Sequence, residues 1–420
     1  MSMLNLELLK KAVGGDFAAI RRITRLEPQG EKVFPPTYEG GEYADEQRLV
    51  RVKDDKGEEK VEAVETVLLD SVQSQANRLE LAMLRAYDNG RIRMPLLQVN
   101  FGGEGADPIL QEVGRITALE APHRMCDAIF RDSNHSGVPF REAAIGAALN
   151  NVRTANATAA FSLCPTALLF GFWDSTGPRG GLGAKVQRAL VSEIVGYQGT
   201  QKVVGKRTAS RIDPTEIQNN VDIYKKADGG WTFDENEAEK NKKGEAVKTK
   251  PSEINHGNIV PSFRHEDKNT KKTVLNHGGV TLDYAVQNTV LSLAALRRLR
   301  FPVSGTVTQE ADQAGRVTLA ALGLAAICLL DEDGFDLRSR CLLDGKPGAS
   351  EFVGRGETLG FSLDATAACA MLAEAAAAAR TAGLPWNEEP VVLEPSAKLS
   401  RLVVESRRKA MAPGSEGSED

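Results

Sequence analysis

The sequence is poor in cysteine, histidine and aromatic side chains, and each shortage argues against a class of function. The five cysteines (Cys126, Cys164, Cys328, Cys341 and Cys369) are odd in number, scattered, and nowhere arranged as CxxC. Neither a disulfide framework nor a zinc ribbon is expected, and they read as reduced thiols of a cytoplasmic protein. The histidines (His123, His135, His256, His265 and His277) are isolated, with no HExxH or HxH, so no metal site or other cofactor is expected. Asp331, Asp333 and Asp336 surround a glycine without the remaining ligands of a calcium loop, which predicts a surface turn. GxSxG is missing too. Aromatics make up 5% of the chain, too few to stack base after base of a single strand. A nucleic acid bound by this chain would be held by its sugar-phosphate backbone, without regard to sequence. No apolar run is long enough to cross a bilayer. Leu319 to Leu330 is short, ends on Asp331, Glu332 and Asp333, and reads as a buried helix. Met1 to Lys11 mixes charge with leucine and lacks a small-residue cleavage site, so neither export nor membrane association is expected.

What is present is ordinary globular material: 420 residues, 41% hydrophobic and 26% charged, enough for one large domain or two smaller ones. The net charge of -5 argues mildly against a polyanionic partner, yet only the surface facing such a partner has to be basic. Four basic clusters stand out: Lys202, Lys206, Arg207 and Arg211; Lys240, Lys242, Lys243, Lys248 and Lys250; Arg297, Arg298 and Arg300; and Arg401, Arg407, Arg408 and Lys409. Each reads either as a polyanion contact or as a solvated face balanced by nearby acids.

Along the chain, strands are predicted at Phe17 to Leu26, Val61 to Leu69 and Pro95 to Phe101, with a helix over Ser71 to Tyr87. Ala159 to Trp173, broken by Pro165, predicts two short buried strands, and Ala184 to Val195 a helix. Lys225 to Lys250 has too few apolar residues to bury much and reads as part of a long charged excursion. Beyond it, helices are predicted over Asp283 to Arg298, Gln309 to Leu329 and Ala365 to Ala382. Strands are predicted at Val280 to Leu282, Phe335 to Leu343, Val391 to Leu393 and Leu399 to Val404. Strands and helices mix without a steady βαβ rhythm, which favours α+β over a doubly wound parallel sheet.

Two segments carry candidate chemistry. The loop Thr176-Gly177-Pro178-Arg179-Gly180-Gly181-Leu182-Gly183-Ala184-Lys185 leads into the predicted helix and, with Arg188, could cradle phosphate on backbone N-H groups. It is no Walker A motif, because Ala184 precedes Lys185 and Val186 stands where a magnesium-binding hydroxyl belongs. The plainer alternative is a tight turn that lets helix and sheet pack closely. The other segment, Ser71-Val72-Gln73-Ser74-Gln75-Ala76-Asn77-Arg78, gathers phosphate- and sugar-contacting side chains at a helix start, or is simply a polar first turn.

LLDSVQSQANRLE (68–80), APHRMCDAIFRDS (121–133) and LLFGFWDSTGPRGGLGAKVQRALVSEIVGY (168–197) belong together with INHGNIVPS (254–262) and LSLAALRRLRFP (291–302). Over Ile20 to Pro302 this set resembles the Cascade backbone subunit of type I-U (I-G) CRISPR systems, in the Cas-seven group of the RAMP superfamily. The resemblance implies an α+β fold with a ferredoxin-like, RRM-type antiparallel sheet core carrying large finger and thumb insertions. A single such domain would span 1–410, including a charged excursion at about 199–263, with a disordered acidic tail at 411–420. It implies copies arranged head to tail along a CRISPR guide RNA, a contact that does not close and so builds a helical filament. The guide pairs with target DNA while the protein reads only backbone and shape. Other Cascade subunits complete the complex, and cutting falls to a recruited helicase-nuclease, so this chain is not an enzyme. Carried across, Gln73, Ser74, Gln75, Asn77 and Arg78 lie along the guide backbone. Arg179, Gly180, Gly181, Gly183, Lys185 and Arg188 contact phosphate. The thumb falls either in the excursion after Gly199 or around His123 to Arg141. Two rivals remain: a RAMP-type endoribonuclease that processes repeat RNA with His123, His256 or His277 as general base, and a metabolic enzyme that holds a phosphorylated substrate on the glycine loop.

Overall fold

The computed structural model describes residues 2–38, 42–53, 57–175, 177, 180–197, 221–227, 230–254, 264–266, 273–275 and 278–411. Arg179, the basic stretch Lys202 to Arg211, His256, His277 and the acidic tail from 412 lie outside the described residues. The architecture is α+β, as expected. Two compact units form: one from Met1–Thr37, Tyr43–Gln201 and Val280–Ser400, the other from Tyr38–Glu42, Lys202–Gly279 and Arg401–Asp420.

The first unit is built on a ten-stranded sheet. Its strands include β1 (Ala19–Pro28), β2 (Asp45–Lys53) and β3 (Glu59–Asp70), followed by helix α1 (Val72–Asp88). A hairpin of β4 (Phe172–Trp173) and β5 (Lys185–Val186) stands apart from this sheet and precedes β6 (Leu190–Tyr197). Then come β7 (Tyr284–Ser292), helix α2 (Gln309–Asp333), β8 (Ser350–Gly354), β9 (Glu357–Ser362) and helix α3 (Ala365–Thr381). In space the order is β9-β8-β1-β7-β6-β3-β2, antiparallel throughout, with Ser2–Met3 added in parallel at the β9 edge. A second, five-stranded sheet includes Leu97–Asn100 and Val391–Pro395 as parallel neighbours.

Period-2 alternation sets the inner face of the main sheet. Ile20, Arg22, Thr24 and Leu26 of β1 are buried beside Leu291, Thr289, Gln287 and Ala285 of β7. The helices cover this face. Ser71 caps α1 by accepting from the Ser74 N-H, and Leu79, Met83 and Tyr87 form its buried stripe. Thr308 caps α2, whose residues from Val317 to Leu330 are all buried, with Leu291 packed over Gly323. Arg22 reaches from the sheet to Asp331 of α2 at 2.5 Å. The Thr318 hydroxyl of α2 donates to the Ala375 carbonyl of α3. The long apolar helix expected to be buried is therefore the packed centre of this unit.

Several sequence expectations are corrected. Asp283 to Arg298 is not one helix: β7 fills most of it, and only Leu293–Leu296 is helical. Ala184 to Val195 is β5 and β6. In both cases the inner face carries polar Gln287, Thr289 and Ser192, while Val286, Val290 and Val191 point the other way, so the alternation of polarity is scrambled. Ala159 to Trp173 holds two helices, Thr158–Leu163 and Thr166–Phe170, rather than two strands. They are buried on nearly every side, which erases the helical period, and Pro165 sits at the N-cap of the second, where its missing N-H costs nothing. Leu399 to Val404 belongs to the helix Ala397–Met411, started by Ser396, whose hydroxyl accepts from the Leu399 N-H. Phe335 to Leu343 is a hairpin turning at Arg340. In the second unit, Lys225 to Lys250 is more ordered than its composition suggests. Ile223–Lys225, Trp231–Thr232 and Lys248–Thr249 pair as a three-stranded antiparallel sheet, with Ile223, Ala238 and Thr249 buried.

All five cysteines are unpaired and four of them are buried. Burial pushes the Cys126 and Cys328 thiols up to about 12, so little thiolate forms near neutrality. At pH 8, iodoacetamide should modify at most the half-buried Cys369 in the native protein, and all five in denaturant, as counted by intact mass. Rapid native labelling at two or more sites would contradict this packing.

Candidate nucleic-acid interface

The polar start of α1 divides into an inward and an outward set. Asp70, the last residue of β3, is fully buried and collects donors from the helix that follows. Ser74 Oγ donates to it at 2.7 Å, Gln75 Nε2 at 2.6 Å and Arg78 Nε at 3.0 Å, while Arg338 arrives from outside the helix at 3.4 Å. Gln75 is also fully buried. Its amide oxygen accepts from Ser192 Oγ and from Gln287 Nε2, both at 2.9 Å. Arg78 additionally donates to the Leu337 carbonyl at 2.5 Å. Ser74, Gln75 and Arg78 therefore fix the helix to the sheet, and Gln73 and Asn77, one turn apart, are the exposed members.

The glycine loop joins β4 to β5 and does not lead into a helix, so the expected helix terminus behind it is corrected. Its strands pair Trp173 with Lys185 and Phe172 with Val186. Asp174 organises the turn: its N-H donates to the Ala184 carbonyl at 2.8 Å, and its buried carboxylate pairs with Arg141. Gly180 N-H donates to Gly177 and Gly183 N-H to Gly180, each at 2.9 Å, with Gly180–Leu182 forming a short 3-10 turn that includes Gly181. Those two N-H groups shape the loop and are not free for phosphate. A Cβ on Gly183 would lie 1.9 Å from the Asp174 carbonyl oxygen, and one on Gly177 2.3 Å from the Asp174 carboxylate. Gly183→Ala is expected to displace the turn and destabilise the protein by about 1–3 kcal/mol. A urea midpoint equal to that of the unmodified protein would show that the loop gives way without strain.

Beside this hairpin lies a cleft of about 370 Å³, lined by Pro122 to Arg124 and by β4, β5 and their flanks. Arg124 is buried in the left-handed region at φ 51°. Its guanidinium grips Glu80 of α1 through two bonds of 2.7 Å and donates to the Gly171 carbonyl at 3.2 Å. Arg188 donates to the Phe170 carbonyl at 3.1 Å, but among the described residues no carboxylate pairs with it. Burial first, then the charge of Arg124, pulls the Arg188 guanidinium below its ordinary value. Lys185 is exposed, with its Nζ 5.2 Å from the centre of the Trp173 ring. The cleft is thus lined by three cations, one of them paired with the buried Glu80 carboxylate, an arrangement that invites an anion. A second hollow of about 300 Å³ is lined in part by Lys185, Gln187 and Arg298, and Arg298 donates to Gln187 Oε1 at 3.0 Å. Its neighbours in sequence are engaged elsewhere. Arg297 donates to the carbonyls of Ala12, Val13 and Phe17, and Arg300 pairs with Asp312 at 2.5 Å.

Residues 21–200 match the family model of CRISPR-associated protein GSU0053. Over that stretch the chain is similar to CRISPR-associated proteins. No curated protein matches it. The matched stretch holds α1, the glycine loop and every residue lining the 370 Å³ cleft, and it ends before β7 and α2. Glu80, Arg124 and Trp173 were not singled out by sequence reasoning. They come from three separate segments, and no spacing rule connects them.

Proposed function

We propose that this CRISPR-associated chain is a non-catalytic backbone subunit of a surveillance complex, holding the sugar-phosphate chain of a guide RNA. Copies would lie head to tail along the guide in the cytoplasm, with other Cascade-type subunits at their side. The bases would stay free to pair with target DNA, and a recruited helicase-nuclease would do the cutting. One observation carries this reading: the CRISPR-associated segment contains a cleft in which half-buried Arg188 and exposed Lys185 have no carboxylate partner among the described residues. Gln73 and Asn77 offer outward polar contacts on the same segment. The element order also supports a ferredoxin-like core. With other elements inserted between them, β1, α1, β6, β7, α2 and β8 occur in the chain order βαββαβ, and the strands stand in space as β8-β1-β7-β6 with both helices against one face.

A backbone grip is indifferent to sequence. Single-stranded RNAs of equal length and unrelated sequence should bind the purified chain within about threefold of one another, with affinity falling as salt rises. Strong preference for one sequence would sink this reading. The alternative, a repeat-processing endoribonuclease, is favoured by one feature, exposed His123 in the wall of the same cationic cleft. Cleavage of repeat RNA that disappears in His123→Ala would replace the backbone role by that one.

A further inference from the structure

Resting on the RNA-binding role just proposed, we infer that the cleft between Arg124 and β5 seats one unstacked nucleobase of the bound strand against Trp173, with Lys185 and Arg188 on the adjoining phosphate. Half of the Trp173 surface, 51%, is exposed. The contrast with Trp386 is informative: that indole is 2% exposed, with its N-H bonded to the Arg93 carbonyl. An indole left in solvent at the mouth of a polar cleft loses apolar burial that a flat ligand restores. The cleft volume, about 370 Å³, falls at the lower end of small-ligand sites and suits one nucleotide unit rather than a folded polymer.

Charge points to the same ligand. Glu80 is bound by Arg124, and neither Arg188 nor Lys185 forms an ion pair of its own among the described residues. Both cations line the same cleft as the indole: Lys185 pairs directly with Trp173 across the hairpin, and Arg188, held by the Phe170 carbonyl, follows β5. A phosphate held there places its attached base within reach of the ring. Stacking uses the π-face that every base has, so such a contact holds a base without reading its identity. It therefore agrees with a sequence-blind grip while predicting that the bases are not wholly ignored.

The test compares a short labelled single-stranded RNA with an abasic strand of the same length, by fluorescence anisotropy on the full chain. The unmodified protein should bind the base-bearing strand about tenfold more tightly. Trp173→Leu should bind both strands alike, at the affinity the unmodified protein shows for the abasic one. Trp173→Phe should keep most of the preference, which a merely structural role would not require. Arg188→Gln should weaken both strands by the same factor. Equal, salt-dependent binding of both strands by the unmodified protein would overturn the base site and leave the backbone grip standing. So would an undiminished preference in Trp173→Leu. Failure to bind either strand would overturn both readings. Tight binding of a free nucleoside monophosphate, with no gain from a strand, would reassign the cleft to a small ligand.

Discussion

Replacing Lys185 and Arg188 together by alanine is expected to weaken single-stranded RNA binding about 30-fold, from roughly 1 kcal/mol of net interaction at each phosphate contact. The salt dependence reports the mechanism more directly than the affinity. Each phosphate neutralised on a single strand releases about 0.7 of a counterion, so losing two contacts should flatten the slope of log K against log salt by about 1.4. Neither residue has a carboxylate partner among the described residues, so their removal should leave the melting temperature nearly unchanged. The binding loss can then be separated from unfolding. An unchanged slope would remove both residues from the interface, whatever the affinity does.

Glu80→Ala should act oppositely, on stability first. The Glu80 carboxylate is buried and holds the buried Arg124 guanidinium bidentately, and Arg124 already sits in the left-handed backbone region. Removing the carboxylate leaves a buried cation without its partner and brings no relief to Arg188 beside it. A loss of about 3–5 kcal/mol is expected, seen as a lower urea midpoint at constant m. Truncating both members should cost less than Glu80→Ala alone, because the stranded charge is then gone. A single variant within about 1 kcal/mol of the unmodified protein would show that Arg124 finds another partner or is hydrated where it lies.

Much of the fold was legible because particular elements obey one period clearly. β1 and β3 alternate, α1 carries its 79-83-87 stripe behind a Ser71 cap, and α3 runs in alanine until Gly383. β6 and β7 were misread for a physical reason. Their inner faces hold a hydrogen-bonded set, Ser192, Thr289 and Gln287 around Gln75, where hydrophobic patterning expects apolar residues. The same set explains the divided outcome at the start of α1. Sequence can show that Gln73, Ser74, Gln75, Asn77 and Arg78 are polar. It cannot show that Asp70 and the sheet claim Ser74, Gln75 and Arg78 and leave Gln73 and Asn77 outside. At the glycine loop the residues were found and their context was not. Gly183 is required by Asp174 rather than by a phosphate, while Lys185 and Arg188 meet Arg124 and Trp173 only through the fold.

The most direct measurement is to co-express the chain with its neighbouring subunits and a repeat-spacer array, purify the assembly, and sequence the nucleic acid it carries. Guide RNA of one defined length, in a particle holding several copies of this chain, is the result the backbone role predicts. A particle free of RNA, or one with RNA of random origin and length, would contradict it.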